Sequence, residues 1–288
     1  MVAENRKRSE KRYLPIGLFL FSDQMGKFIF VGLGLSDDRS ITIEAIDACK
    51  KCDILFAEQY TSKVSPGSIG RLEKIIGKEI RILGRKDVED GAPLQFAKDK
   101  IVGFLVPGDP MTATTHVDLR IRADSLGIET MIVHGTSAMV AIPGILGLQH
   151  YKFGRTVTIP FSQRGFRPTS PFEQLNDNLK QGLHTLALLD IQSLEDRYMT
   201  ANEGLKWLIE TSAELKSEAV TGDTIACVVA RAGSNDYLAR ADRISRLVAF
   251  DFGKPLHTIV VPGKLHFQEE EALIRFAAAP RELFSGDV

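Results

Sequence analysis

The stretch IVGFLVPGDPMTATTH, Ile101 to His116, places a carboxylate in a stiff loop. An apolar run ends at Pro107, Gly108, Asp109 and Pro110. The two prolines fix φ and lack an N–H, and Gly108 can take positive φ, so the backbone is open to close approach with Asp109 at the tip. In an α/β sheet, ligands bind beyond the carboxyl ends of the strands, and a fixed carboxylate there suits a ligand carrying positive charge or hydroxyls. The same residues also fit a plain strand-to-helix turn with Asp109 as helix N-cap. A second loop, Gly32-Leu33-Gly34, follows the first strand, and Glu58 ends the next; together they resemble the start of a dinucleotide fingerprint with its ribose-binding acid. The third glycine is missing, however. Asp37 and Asp38 stand there instead, and two carboxylates repel a pyrophosphate. A nucleoside without phosphates removes that objection. S-adenosylmethionine is one such ligand, with adenine, ribose, carboxylate, ammonium and sulfonium, and other nucleosides stay open at this point.

Cys49 and Cys52 form a C-x-x-C at the far end of a helical segment, whereas a redox pair needs a helix N-terminus to lower its thiol pKa. Cys227 stands alone, so no zinc set forms, and the three cysteines are expected to be structural in a reduced, cytoplasmic setting with no metal. The 288-residue chain is 44% apolar and 25% charged with net charge −1, a globular composition long enough for two domains. That charge excludes a broad nucleic-acid footprint and turns the search for a macromolecular partner toward protein. Near the start, Arg6, Lys7, Arg8, Lys11 and Arg12 precede an apolar patch over 14–21 that is interrupted by Pro15 and Gly17 and is too short to span a bilayer. No small-residue cleavage site follows.

From Lys27 the chain alternates strand and helix. Strands FIFVGLG, DILFAE, EIRIL, IVGFLV and TMIV alternate with helical segments near 39–51, 68–76 and 113–125 and a less regular helical stretch before Ile101. This pattern predicts a largely parallel sheet covered on both faces. A loop at 134–137 precedes the apolar segment SAMVAIPGILGL, and the domain boundary is placed there. The second half mixes strands TVTIP, HTLALLDI, DTIACVVA and HTIVVP with helices expected over 171–180, 202–214, 241–250 and 269–279. The organisation read is a flexible extension over 1–24, an N-terminal α/β domain over 25–134 carrying the GLGL and PGDP loops, and a C-terminal α/β domain over 135–288.

With both loops placed, the chain resembles the diphthine synthases, a family of the tetrapyrrole-methylase-like class of S-adenosylmethionine-dependent methyltransferases. The resemblance runs from about Lys27 to the C-terminus. It is carried by FVGLGLSDDRSIT, CDILFAEQYTS, LVPGDPMTATTHVDLRIRA, LQHYKFG, GLHTLALLDI, RYMTANE, VVARAGS and DFGKPLHTIVVPGKLH. It implies a tetrapyrrole methylase-like fold of two α/β domains with S-adenosylmethionine in the cleft between them, and a homodimer. The family's cofactor positions match Leu35, Asp109, Thr112, Ser137, Ala138, Leu189, Ala232 and His257, the contact at Thr112 through backbone. Taken by residue type alone, Leu35 and Leu189 read as core, Ser137 as an N-cap, Ala232 as a loop residue and His257 as a packed histidine. His116, His150, His184 and His266 are read as structural. Arg120 and Arg122 fit a solvated helix face or a dimer interface.

The resemblance further implies successive methyl transfers, ending in trimethylation, to the amino nitrogen of a 3-amino-3-carboxypropyl group on a modified histidine of translation elongation factor 2, without nucleic acid or membrane. The sulfonium is a strong electrophile, so alignment and desolvation carry the rate. The acceptor amine must lose its proton first. No residue is assigned as its base. Two alternatives remain at this stage: a methyltransferase of a tetrapyrrole or other small molecule, and an NAD-dependent oxidoreductase built on Gly32, Gly34 and Glu58. Because Met25 stands two residues before the first strand, it is the expected natural start. Intact mass of the natural protein checks this: a mass beginning at Met25 is expected, and one that includes Met1 refutes it.

Overall fold

Runs of apolar residues without alternation build the first sheet, as strands buried on both faces require. A computed structural model of the chain describes residues 26–60, 62–162, 167–192 and 195–284; the extension read over 1–24, and Met25, lie outside the described residues. Strands β1 (Lys27–Gly32), β2 (Ile54–Glu58), β3 (Ile80–Leu83), β4 (Ile101–Val106) and β5 (Glu129–Val133) form a parallel sheet in the order β3-β2-β4-β1-β5. Helices α1 (Ile43–Lys51) and α2 (Ser68–Ile76) cover one face through Ala45, Cys49, Leu72 and Ile76. The short α3 (Arg85–Glu89) and α4 (Ala92–Phe96), with α5 (His116–Ser125), cover the other through Val88, Leu94, Leu119 and Ala123. Two helices start later than their patterns predict. Asp37 caps a 3-10 turn at Asp38–Ser40 and Thr42 then caps α1, while the turn around Asp109 delays α5 to His116. Cys49 and Cys52 are buried in this core, and burial pushes their thiols up to about 12 and about 11. They pack as small apolar groups.

The chain leaves β1 toward β2 on one side and β4 toward β5 on the other, so the strand order reverses between β1 and β4. Such a switch point opens a crevice at the carboxyl ends of the strands. Here the loops meet backbone to backbone. Gly34 and Gly108 exchange two N–H···O bonds of 3.1 and 2.7 Å. A Cβ placed on Gly32 would lie 2.4 Å from the nitrogen of Gly135, and one on Gly135 would lie 2.4 Å from the carbonyl oxygen of Gly108.

The second sheet runs β11-β10-β12-β7-β6, from β6 (Val157–Ile159), β7 (Thr185–Leu189), β10 (Ile225–Ala230), β11 (Leu238–Arg243) and β12 (His257–Val261). Only β6 and β7 pair in parallel; the other neighbours are antiparallel. Helices α7 (Ser170–Lys180), α8 (Ala201–Glu214) and α9 (Ile244–Leu247) cover one face. The other is covered by α6 (Ala138–Leu146) and α10 (Phe267–Phe276), where Ile142, Leu146 and Leu273 pack with Leu186 and Val260. A small hairpin, β8 (Ile191–Gln192) and β9 (Arg197–Tyr198), follows β7. The helix expected over 241–250 is corrected: residues 238–243 are an edge strand, and only Ile244–Leu247 is helical. The reason is cross-strand pairing. Ala239 and Ala241 face Val229 and Cys227 of β10 in register, and the pairing of a packed ladder overrides helix propensity.

The YKFG, GLH and PGKLH motifs converge on one buried carboxylate. Glu269, fully buried in α10, accepts from Lys152, from His184 Nε2 at 3.0 Å and from the backbone N–H groups of Gln149 and His266 at 2.9 and 2.8 Å. Burial opposes the charge, but these donors outweigh it and hold the carboxyl at about 2, against an ordinary 4.5. His184, which accepts from Gly263 N–H through Nδ1 at 3.0 Å, is structural as expected.

Two stability measurements check these readings. Gly135→Ala is expected to lower unfolding free energy by at least about 1–3 kcal/mol in urea titration, because backbone rather than a flexible side chain meets the new methyl. Glu269→Ala is expected to cost about 3–5 kcal/mol, since Lys152 would be left without its buried partner. The folded pKa of Glu269 is depressed, so its contribution is full above about pH 4.5 and is lost as pH falls toward 2. An acid titration that is flat across that window would refute the assignment.

Candidate active site

The central loop is organised by Asp109, which is only 8% exposed. Its Oδ1 accepts from Met111 N–H at 2.9 Å and from the Thr112 hydroxyl at 3.1 Å. Its Oδ2 accepts from His134 Nδ1 at 2.7 Å and more weakly from Gly135 N–H at 3.4 Å. Burial would raise this carboxyl, yet the Met111, His134 and Thr112 donors prevail and hold it below the usual carboxylate range. A carboxylate offers about four acceptor positions, and all four are engaged here within the loops. Beneath, buried His116 donates from Nδ1 to the Pro110 carbonyl at 2.9 Å. Burial disfavours its charged form, so the ring is neutral.

The first glycine loop carries Leu35 and Ser36 to the same place. Its two acids are consumed on the way: Asp37 takes the Arg39 guanidinium at 2.7 Å, and Asp38 takes Arg71 at 2.7 Å. Three residues of 3-10 turn stand where a dinucleotide fold would present a long helix. Glu58 is fully buried and accepts from Tyr60 N–H at 2.8 Å. The features that suggested NAD are thus structural, and that alternative is not favoured.

From the second half of the chain come four further walls. Leu189 ends β7, and the neighbouring Asp190 accepts from Phe161 and Ile191 N–H groups, each at 2.9 Å. Ser137 caps α6 by accepting from Met139 N–H at 3.2 Å, with Ala138 in the first turn. Ala232 follows Arg231, whose guanidinium donates to Asp236 and to the carbonyls of Phe252 and Lys254 at 2.7 and 2.8 Å. His257 opens β12; its Nδ1 accepts from Ala201 N–H at 3.1 Å and its Nε2 donates to the Lys254 carbonyl at 3.0 Å. Burial lowers its pKa, and with both nitrogens spent it faces a ligand through backbone or ring carbon only.

These walls close one cleft of about 700 Å³, within the size range of small-molecule sites. Leu35, Asp109, Thr112, Ser137, Ala138, Leu189, Ala232 and His257 all line it. Two contacts cross it: the Leu35 side chain lies against Gly233, and Lys63 Nζ pairs with Asp196 at 2.9 Å. Four aspartates, Asp109, Asp190, Asp196 and Asp236, face Lys63, Arg231 and Lys254, leaving one negative charge in excess. Reading the sequence missed His134, Lys63, Arg231 and Lys254. His134 sits 25 residues from Asp109, and no spacing rule links the two. Among the described residues no group of three or more His, Cys, Asp or Glu side chains is placed to hold a metal, and no helix is long and apolar enough to cross a membrane.

Residues 27–247 match the family described as Tetrapyrrole (Corrin/Porphyrin) Methylases. The diphthine synthase of Methanothermobacter thermautotrophicus is 46% identical over 252 residues, covering 87% of this chain and 96% of the relative. That of Methanocaldococcus jannaschii is 47% identical over 249 residues, covering 85% and 96%. A crystal structure of diphthine synthase superposes with a TM-score of 0.80 at 39% identity, covering 89% of this chain and 98% of that one. Family match, relatives of nearly equal length and a shared two-sheet architecture agree: the chain belongs to the tetrapyrrole methylase family of S-adenosylmethionine-dependent methyltransferases, among its diphthine synthases.

Proposed function

We propose that the cleft binds S-adenosylmethionine and that the chain methylates, up to the trimethyl stage, the amino nitrogen of a 3-amino-3-carboxypropyl histidine on elongation factor 2. The observation that carries this reading is the convergence of all eight cofactor positions on one cleft whose lining is net negative. A ligand with a sulfonium, an ammonium and a carboxylate has one net positive charge, and the lining complements it. The cradle fits as well. Gly108 has φ +75° and open space where a Cβ would sit, so the loop backbone is bare on that side.

In this reading Leu35, Ala138, Leu189 and Ala232 supply apolar walls, while Thr112, Ser137 and His257 frame the ends. Asp109 acts through the loop it braces. With its oxygens engaged by Met111, Thr112 and His134, it holds the backbone of 107–112 in place. When bound, the cofactor supplies an electrophilic methyl group. The protein's share is to align the acceptor amine with it and to exclude water, which converts a bimolecular attack into one of high effective molarity. The reading extends to a homodimer in the cytoplasm and to a boundary between domains 25–134 and 135–288; the packing of α6 on the second sheet rather than the first supports that boundary.

Two experiments test the reading. Labelled S-adenosylmethionine with elongation factor 2 bearing the aminocarboxypropyl histidine is expected to methylate that residue alone, with mass spectrometry counting three methyls. A factor left unmodified by an enzyme that binds the cofactor would shift the acceptor to a small molecule. Asp109→Ala is expected to raise the Kd for S-adenosylmethionine by about tenfold or more in calorimetry, because four hydrogen bonds bracing the loop are lost. Unchanged cofactor binding would remove Asp109 from the site.

A further inference from the structure

The cleft lining carries three cations, and two are already committed. Arg231 is bound to Asp236 and to the Phe252 and Lys254 carbonyls, and its backbone N–H donates to Leu256 at 2.7 Å. Lys63 is paired with Asp196 and lies 5.3 Å from the centre of the Tyr198 ring. Lys254 differs. Its carbonyl is held from two sides, by Arg231 at 2.8 Å and by His257 Nε2 at 3.0 Å, while its ammonium has no partner among the described residues. The main chain is fixed and the charge is free. Binding an anion there would order little more than one side chain.

We propose that Lys254 is a positioning residue that pairs with the carboxylate of the acceptor, an assignment that rests on the function proposed above. The aminocarboxypropyl group carries its carboxylate on the same carbon as the reacting amine, and that carboxylate is ionised at neutral pH. Asp196 and Asp236 already hold Lys63 and Arg231, but Asp190 shares the cleft with backbone N–H donors only, so an entering anion meets repulsion unless a further cation compensates. Lys254 is the remaining cation, and a charge-assisted bond to it would fix the direction of the amine. The methionyl carboxylate of the cofactor has the same chemistry. Position favours the acceptor. Lys254 lies in an exposed stretch with Asp251, Gly253 and Pro255, within reach of a group carried on another protein, whereas Asp109 and His257 are 8% and 5% exposed.

The test uses the full chain as Lys254→Ala and Lys254→Arg. It measures the Kd for S-adenosylmethionine by calorimetry, and kcat and KM for elongation factor 2 bearing either the aminocarboxypropyl group or a 3-aminopropyl group without the carboxylate. Lys254→Ala is expected to raise the acceptor KM about tenfold or more while the cofactor Kd stays within about twofold, and Lys254→Arg to recover most of the loss. Removing the acceptor carboxylate should weaken the wild type by a similar factor and leave Lys254→Ala no worse. A tenfold rise in cofactor Kd with the acceptor KM unchanged would overturn the assignment in favour of the cofactor's carboxylate. So would a fall in kcat alone, or no change in any constant. A wild-type enzyme that binds S-adenosylmethionine yet leaves the factor unmethylated would overturn the functional reading and this assignment with it.

Discussion

The approach of three backbones at the carboxyl edge of the parallel sheet is the constraint on which the cleft depends. Gly32 and Gly135 let the loops after β1, β4 and β5 lie against one another with no side chain between them, and Gly34 and Gly108 tie two of those loops by backbone hydrogen bonds. That contact places Asp109 within reach of His134 and Gly135, and so joins the central loop to the segment that crosses into the second sheet. Glycines that resemble a phosphate cradle in sequence thus serve chain-to-chain packing. The phosphate-binding role would have required a helix N-terminus behind the loop, and a short 3-10 turn stands there instead.

Polar groups around the cleft are largely satisfied by the protein itself. Asp37, Asp38, Asp109, Asp190, His116 and His257 each hold a backbone or side-chain partner. Such groups fix geometry and leave little free hydrogen-bonding capacity for a ligand, which then meets loop backbone and apolar walls. Of the cations in the lining, Lys63 and Arg231 already hold carboxylates, so Lys254 is the one left to meet a charged group.

Much of this was legible in the chain. Strands whose apolar runs lack alternation, the helix 68–76 between two turns, and the two glycine loops all follow from local pattern, and the motifs named the family. The edge strand β11 was not legible: LARADR has no strong strand periodicity, and its state is decided by pairing with β10. His134 was invisible for a related reason, since its importance lies in a partner brought near by the sheet. The role of the YKFG, GLH and PGKLH motifs also needed the fold. They are far apart in sequence and meet only around Glu269.

The position of β12 has a consequence for how the chain reaches this state. This strand, residues 257–261, is nearly the last element of the chain, yet it lies in the middle of the second sheet, between β10 and β7. Until it is in place, β6–β7 and β10–β11 are two separate ribbons, each with an open edge waiting for the same partner. During synthesis the first sheet can close from residues that emerge early, while the second must wait until residues 257–261 have left the ribosome. The C-terminal half is therefore the slow, high-contact-order part of folding, and the stage at which exposed edges invite association with other chains.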